Sequence, residues 1–180
     1  LHVLQAVDDD WIVVPVMCRT VGSQTAAVTV TRAIPDMDFV AEQGNRLWGC
    51  KYGIVNGEPV NEIYASKLGD FRNWNSFAGL STDSYAASRG SDGVFTGAAA
   101  CLGGVIFFKE DCMERVYPSA SGAHQIVTVR CPGVKKGCGG SAALVDGTLF
   151  YVGVNGVYAF DGSMPACVSQ PLGSVRYESA

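Results

Sequence analysis

One strand-and-turn pattern occurs three times in this chain, and a repeat of that size leaves few architectures open to it. The first copy runs through Gly44-Asn45-Arg46-Leu47-Trp48-Gly49-Cys50 to Glu62-Ile63-Tyr64-Ala65. The second runs through Leu102-Gly103-Gly104-Val105-Ile106-Phe107-Phe108 to Glu114-Arg115-Val116-Tyr117. The third runs through Asp146-Gly147-Thr148-Leu149-Phe150-Tyr151-Val152 to Gly156-Val157-Tyr158-Ala159-Phe160. In each copy a turn precedes an apolar-aromatic strand, and a second turn leads into another aromatic strand. Units of this kind bury their apolar faces against their neighbours, which favours a binding or structural role over catalysis.

Turn chemistry and β-rich runs set the expected strands. Asn56-Gly57, Asp146-Gly147 and Asn155-Gly156 are hairpin signals, because Asn, Asp and Gly tolerate the positive φ that a tight turn needs. The first repeat unit, 38–90, is expected to hold strands at 39–42, 45–52, 61–66 and 84–88. Between its last two strands, 67–75 breaks the strand period and reads as an irregular loop with room for one helical turn. The second unit, 91–139, is expected to hold strands at 96–102, 105–109, 113–117 and 125–131. The third, 140–180, is expected at 142–145, 148–152, 156–160 and 174–177. Ahead of them, 1–37 reads as a strand pair and linker, with 11–18 and 26–31 antiparallel across Gly22-Ser23. Pro15 places its strand at an edge or bulge.

No window carries a capped helical stripe. An inner strand of Ala and Gly, a central apolar strand, an aromatic strand and a polar outer one together resemble a blade. The chain is therefore expected to be all-β, a β-propeller-like array of three to four antiparallel four-stranded blades. A β-sandwich is the alternative. Residues 1–180 read as a single β-repeat domain, a piece of a longer chain.

Composition excludes some functions more firmly than it selects others. With 13 basic against 17 acidic residues the net charge is −4, and no basic run offers phosphate neutralisation. Nucleic-acid binding is not expected. No segment is long and apolar enough for a membrane helix, so no membrane partner is expected either. Seven cysteines, Cys18, Cys50, Cys101, Cys112, Cys131, Cys138 and Cys167, are scattered without a Cys-x-x-Cys pair. Several sit in apolar strands, where a thiol acts as a small hydrophobe, so reduced structural cysteines are favoured over disulfides or a metal cluster.

Motifs for catalysis are weak. His2 and His124 are the two imidazoles. Cys101, Cys112 or Ser121 with His124 would make a nucleophile–base pair, but neither a Gly-x-Ser-x-Gly elbow nor a papain-like cysteine context occurs. Glu110-Asp111, Asp83, Asp70 and Glu62 supply carboxylates for a glycosidase pair without a spacing that singles out two of them. Asp8-Asp9-Asp10 lacks the remaining ligands of a calcium loop, and the Gly-rich 137–140 lacks the helix that would hold a phosphate. No catalytic, cofactor-binding or metal residue is assigned, and no cofactor is expected. The most distinctive stretch is Tyr64-Ala65-Ser66-Lys67-Leu68-Gly69-Asp70-Phe71-Arg72-Asn73-Trp74-Asn75. It reads in two ways: as a contact surface, or as a structured loop with Trp74 packed beneath it and Asp70 and Asn73 closing turns.

That stretch, preceded by Asn61-Glu62-Ile63 and followed by Gly79-Leu80-Ser81-Thr82-Asp83-Ser84-Tyr85, resembles the central motif of propeller-type structural proteins from tailed bacteriophages and prophages of gut bacteria. The similarity continues through Ser91-Asp92-Gly93, Phe95-Thr96-Gly97, Leu102-Gly103, Phe107-Phe108-Lys109-Glu110 and Val157-Tyr158-Ala159-Phe160-Asp161-Gly162-Ser163, covering about 39–172. It implies a non-enzymatic virion protein of the tail or head–tail connection, made in the bacterial host cytoplasm. Its partners would be other virion proteins, or further copies or segments of the same protein. A weaker similarity links 145–152 and 158–162 to quinoprotein-type propeller repeats; those residues specify strands and turns, and no quinone is inferred. Two other functions stay open: a propeller-type glycan- or ligand-binding module with exposed Trp or Tyr, and a hydrolase using His124 or a carboxylate pair.

Overall fold

The computed structural model describes residues 34–172, together with the backbone of two earlier strands. The chain divides into two compact units, 1–33 and 34–180. In the first, β1 (His2–Gln5) pairs antiparallel with β2 (Trp11–Val14), Gln5 opposite Trp11. The partner expected for the second strand, 26–31, lies outside the described residues.

The second unit is built from three four-stranded antiparallel sheets, each a simple meander. Sheet I comprises β3 (Phe39–Glu42), β4 (Leu47–Val55), β5 (Glu58–Ala65) and β6 (Tyr85–Ser88). Sheet II comprises β7 (Gly97–Cys101), β8 (Gly104–Phe108), β9 (Cys112–Tyr117) and β10 (Gln125–Arg130). Sheet III comprises β11 (Ala143–Val145), β12 (Thr148–Gly153), β13 (Gly156–Phe160) and β14 (Ala166–Cys167). The threefold repeat is thus one sheet per copy, and the chain is all-β. The three sheets do not close into a ring.

Local chemistry explains why the first hairpin of every sheet is alike. Gly44-Asn45 (φ +62°, +59°), Leu102-Gly103 (+52°, +74°) and Asp146-Gly147 (+48°, +81°) each form a two-residue turn with both φ values positive. Asn56-Gly57 (+52°, +87°) does the same between β4 and β5. This is the type I′ geometry whose twist matches that of the flanking strands. In sheet III the second turn falls one residue before the expected Asn155-Gly156: Val154 and Asn155 form the corner, and Gly156 opens β13 at φ +145°. The fourth strand also differs from expectation. It is the short Ala166–Cys167, paired with Tyr158 and Ala159, whereas 174–177 lies outside the described residues.

Leu102 is the exception to this turn chemistry: a non-Gly residue costs about 1–2 kcal/mol in the left-handed region, and Leu lacks the short polar group with which Asn or Asp can hydrogen-bond locally there. Its side chain is half exposed, so little burial offsets that cost. Leu102→Asn is expected to raise the unfolding free energy by about 1 kcal/mol in urea titration. An unchanged midpoint would show that the Leu102 side chain, which lies against Gly162, supplies a compensating contact.

Sheet II is the central layer. Val105, Phe107 and Val116 pack with Trp48, Cys50, Ile63 and Ala65 of sheet I. Ile106, Phe108 and Met113 point the other way, against Leu149, Tyr151, Tyr158 and Phe160 of sheet III. Every residue of β8 is therefore buried, and each large side chain there contributes about 1.5–3 kcal/mol. The first strands of the repeats are neighbours: β3 lies beside β7, and Gly139, just before β11, fits between the Phe39 ring and the Thr96 carbonyl. A Cβ at Gly139 would meet both, so only glycine allows that approach.

Candidate functional site

The loop joining β5 to β6, residues 66–84, holds the stretch that is most distinctive in sequence. It is fixed from within by the backbone. The Lys67 amide donates to the Asn73 carbonyl (2.7 Å), Leu68 to Thr82 (2.8 Å), and Gly69 to Asn45 in the β3–β4 turn (2.9 Å). Lys67 and Asp70 form an isolated antiparallel bridge, and turns take the place of the helical turn for which the sequence left room.

Arg46, from the β3–β4 turn, reaches beneath the loop. Its guanidinium donates to the carbonyls of Ser66, Ser81 and Asp83 and is itself buried. One cation thus ties both ends of the loop to sheet I, with desolvation drawing its pKa below the usual arginine value. Asn73 donates to Ser76 Oγ (2.9 Å), and Ser84 Oγ donates to the Asn73 carbonyl (3.0 Å). From sheet II, Gly122 meets Ser81 at a distance that leaves no room for a Cβ.

The structured-loop reading of this stretch is met by Trp74, Asp70 and Asn73. Trp74 is buried, its indole N–H donating to the Phe71 carbonyl (2.8 Å). Asp70 accepts from the Arg72 amide and Asn73 from the Asn75 amide, each at 3.2 Å, closing short turns. The loop also carries exposed apolar side chains: Leu68 at 42%, Phe71 at 56%, Phe77 at 61% and Leu80 at 63%. Leu68, Gly69 and Phe71 form one wall of an open groove of about 550 Å³, with Glu42, Asn45, Arg46 and Leu47 forming the other. The Arg72 guanidinium lies 5.7 Å from the Phe71 ring centre. Phe77 and Leu80 were not singled out by the sequence, since single apolar residues in a polar loop carry no periodic signal.

The hydrolase candidates are dispersed. His124 packs edge-on against Trp48 and Tyr85, with ring centres 5.1 and 5.0 Å away, and its Nδ1 accepts from the Ser119 amide (2.9 Å). Burial, with the nearby Arg46 charge, holds its pKa below the usual histidine value. Among the described residues no hydrogen bond joins this imidazole to Cys101, Cys112 or Ser121. Cys101 faces sheet III, Cys112 stands at the opposite end of β9, and Ser121 Oγ pairs with Ser119 Oγ (2.8 Å). The carboxylates are separately engaged. Glu110 accepts from the Lys136 amide (2.9 Å), Asp111 faces Arg130 (3.5 Å), Glu62 accepts from Tyr64 (2.6 Å), and Asp83 accepts from the Leu80 amide (2.8 Å). Asp8, Asp9 and Asp10 lie outside the described residues.

Two charged contacts hidden in the sequence join sheet I to sheet II. Lys109 is fully buried: its ammonium donates to the Ser91 carbonyl (2.7 Å) and Asn61 Oδ1 (3.2 Å) and lies over the rings of Phe95 and Tyr52. Glu114, also fully buried, accepts from Arg89 Nε (2.9 Å) and Nη2 (2.8 Å), while Thr128 Oγ1 donates to the same carboxylate (3.0 Å). The loop surface therefore stands on two sheets locked together by buried ions.

The sequence matches no protein-family model and no curated protein.

Proposed function

We propose that this chain is a non-enzymatic structural protein of a tailed-bacteriophage or prophage particle, in the tail or head–tail connection. It acts by presenting the 66–84 loop to a neighbouring virion protein. The sheets serve as propeller-like blades, and the β3–β4 turn of the first gives the loop a rigid base. The observation that carries this reading is an anchored loop with exposed apolar side chains. Its backbone is anchored by Arg46 and by hydrogen bonds, yet it exposes Leu68, Phe71, Phe77 and Leu80 to water. Exposed apolar side chains on a fixed frame suit protein contacts, because docking then costs little ordering entropy. The virion assignment rests on the sequence resemblance over about 39–172. Glycan binding has less support: among the described residues Trp48 and Trp74 are buried and cannot stack on a sugar, while Tyr117 is exposed but has the Arg115 guanidinium 5.3 Å from its ring centre.

The reading is tested by Leu68→Ser combined with Phe71→Ser. Both side chains are exposed, so unfolding free energy is expected to change by no more than about 0.5 kcal/mol per site. Particle yield from a host carrying the variant gene is expected to fall. Full yield with the folded double variant would remove the loop from the interface.

A further inference from the structure

The two outward faces of the three-sheet layer differ in chemistry. On sheet I, strand register places Val40, Gly49, Tyr64 and Ala86 in one outer row, and Lys51, Glu62 and Ser88 in the next. Met37 lies over Gly49 so closely that a Cβ there would meet its sulfur. Lys51 pairs with Asp36 (2.7 Å) and Asp38 (2.9 Å), and Glu62 accepts from the Tyr64 hydroxyl. Such a polar, partly covered face is what the terminal unit of a repeat array needs in water.

Among the described residues, no side chain is placed over sheet III in this way. Leu149, Tyr151, Tyr158 and Phe160 face sheet II, so the alternate positions point outward. Register aligns Ala143, Phe150, Ala159 and Ala166 in one row and Val152 with Val157 in the next, where Val168 joins them through its amide to the Val157 carbonyl. Val145 opposite Thr148 makes a third row. These rows hold one hydroxyl and no charge. Val145 is 53% exposed and Val168 48%, while Phe150, Val152, Val157 and Ala159 are half-buried. Sheet II shows the same kind of strand with both faces covered, where all of β8 is buried.

We propose that the outer face of sheet III is a self-association surface, occupied by the same face of a second copy of this chain. Charge selects this occupant. Stacking sheet III on the sheet I face of another copy would desolvate Lys51, Asp36, Asp38 and Glu62 against an apolar layer that returns no partner. Pairing sheet III with sheet III buries no charge from these rows and repeats the sheet-on-sheet contact already made with sheet II. A two-fold arrangement of that kind ends after two copies. Four strands about 4.8 Å apart and five residues rising about 3.3 Å each give a footprint of roughly 300 Å² per copy. That is well below the roughly 800 Å² per partner of a standard stable interface, so the dimer is weak and concentration-dependent. This surface is independent of the 66–84 loop.

Sedimentation velocity of the 180-residue chain, from about 1 μM to several hundred μM, tests the proposal over the range a small interface spans. The mass is expected to rise from 19.0 kDa toward twice that value. Val157→Lys and Val157→Glu, each in the outer row, are expected to stay monomeric throughout, and an equimolar mixture of the two to regain the dimer. Circular dichroism reports whether they fold; if either does not, the exposed Ala166→Glu decides, with an expected loss of at least tenfold in self-affinity. A monomer at every concentration overturns the proposal. So does a dimer that survives these substitutions, or a mass that climbs past two copies.

Discussion

Arg89→Ala is expected to destabilise the fold by about 3–5 kcal/mol, the cost of leaving a buried charge without its partner. The reason lies in where the two groups come from. Arg89 follows β6 of sheet I, and Glu114 sits in the middle of β9 of sheet II with no solvent exposure. Remove the guanidinium, and the Glu114 carboxylate keeps only the Thr128 hydroxyl among these partners. It must then stay charged in an apolar layer or take up a proton, and either course draws on a total stability of about 5–15 kcal/mol. The double variant Arg89→Met with Glu114→Leu removes both charges and should recover most of the loss, since buried pairs are often replaceable by apolar groups. Urea unfolding of the two single variants and the double variant measures this directly. A loss below about 1 kcal/mol for Arg89→Ala, the level of a surface ion pair, would mean that water reaches Glu114.

Alkaline pH is expected to be equally damaging, through buried thiols. Cys50, Cys101, Cys112 and Cys131 are buried and unpaired, and burial disfavours their thiolates. Cys112 and Cys131 are pushed from 9.0 up to about 11, chiefly by desolvation, and Cys50 and Cys101 are raised for the same reason. A raised folded-state pKa means that the unfolded chain releases these protons first. The stabilisation is complete below the unfolded value of 9.0 and is lost as pH rises through about 11. Each thiol contributes a slope of up to about 1.4 kcal/mol per pH unit in that window, so Cys112 and Cys131 alone remove several kcal/mol between its ends. Burial of Tyr64 and Tyr151 raises their phenols and acts in the same direction at still higher pH. Lys109 acts in the opposite direction. Its pKa is lowered by desolvation, so its contribution to stability improves as pH rises toward 10.5, offsetting part of one thiol. Urea midpoints under reducing conditions should therefore be nearly level from pH 7 to 8.5 and fall steeply from 9 to 11. The Cys112→Ala, Cys131→Ala double variant should show a visibly shallower fall. The same fall in that variant would assign alkaline unfolding to other groups.

What the sequence made legible is what short-range chemistry decides. The threefold pattern became three meanders because its turn pairs (Gly44-Asn45, Asn56-Gly57 and Asp146-Gly147) demand positive φ and set a two-residue hairpin. Strand ends were less legible for the same reason. A type I′ turn carries pairing right up to its corner, so β4 reaches Val55 and β5 begins at Glu58, beyond the 45–52 and 61–66 expected from periodicity. The fourth strand of sheet III eluded the pattern because Ala166-Cys167 is too short to show any alternation. In the 66–84 loop, the turn-closing roles of Asp70 and Asn73 and the burial of Trp74 were foreseeable from residue type. The anchoring by Arg46 was not, nor were the buried positions of Lys109, Arg89 and Glu114. Each looks like a surface residue until distant strands surround it, and nothing local marks which lysine will sit over the rings of Phe95 and Tyr52.

The assignment to a virion turns on whether the chain is physically part of a particle. Particles released from a host that carries the gene can be purified on a density gradient and their protein content quantified by mass spectrometry. The wild-type chain is expected to co-purify with intact particles at a fixed copy number, while the folded Leu68→Ser, Phe71→Ser variant is missing from them or yields incomplete particles. A wild-type chain absent from infectious particles, or a double variant incorporated at the wild-type copy number, would contradict a virion role played through this loop.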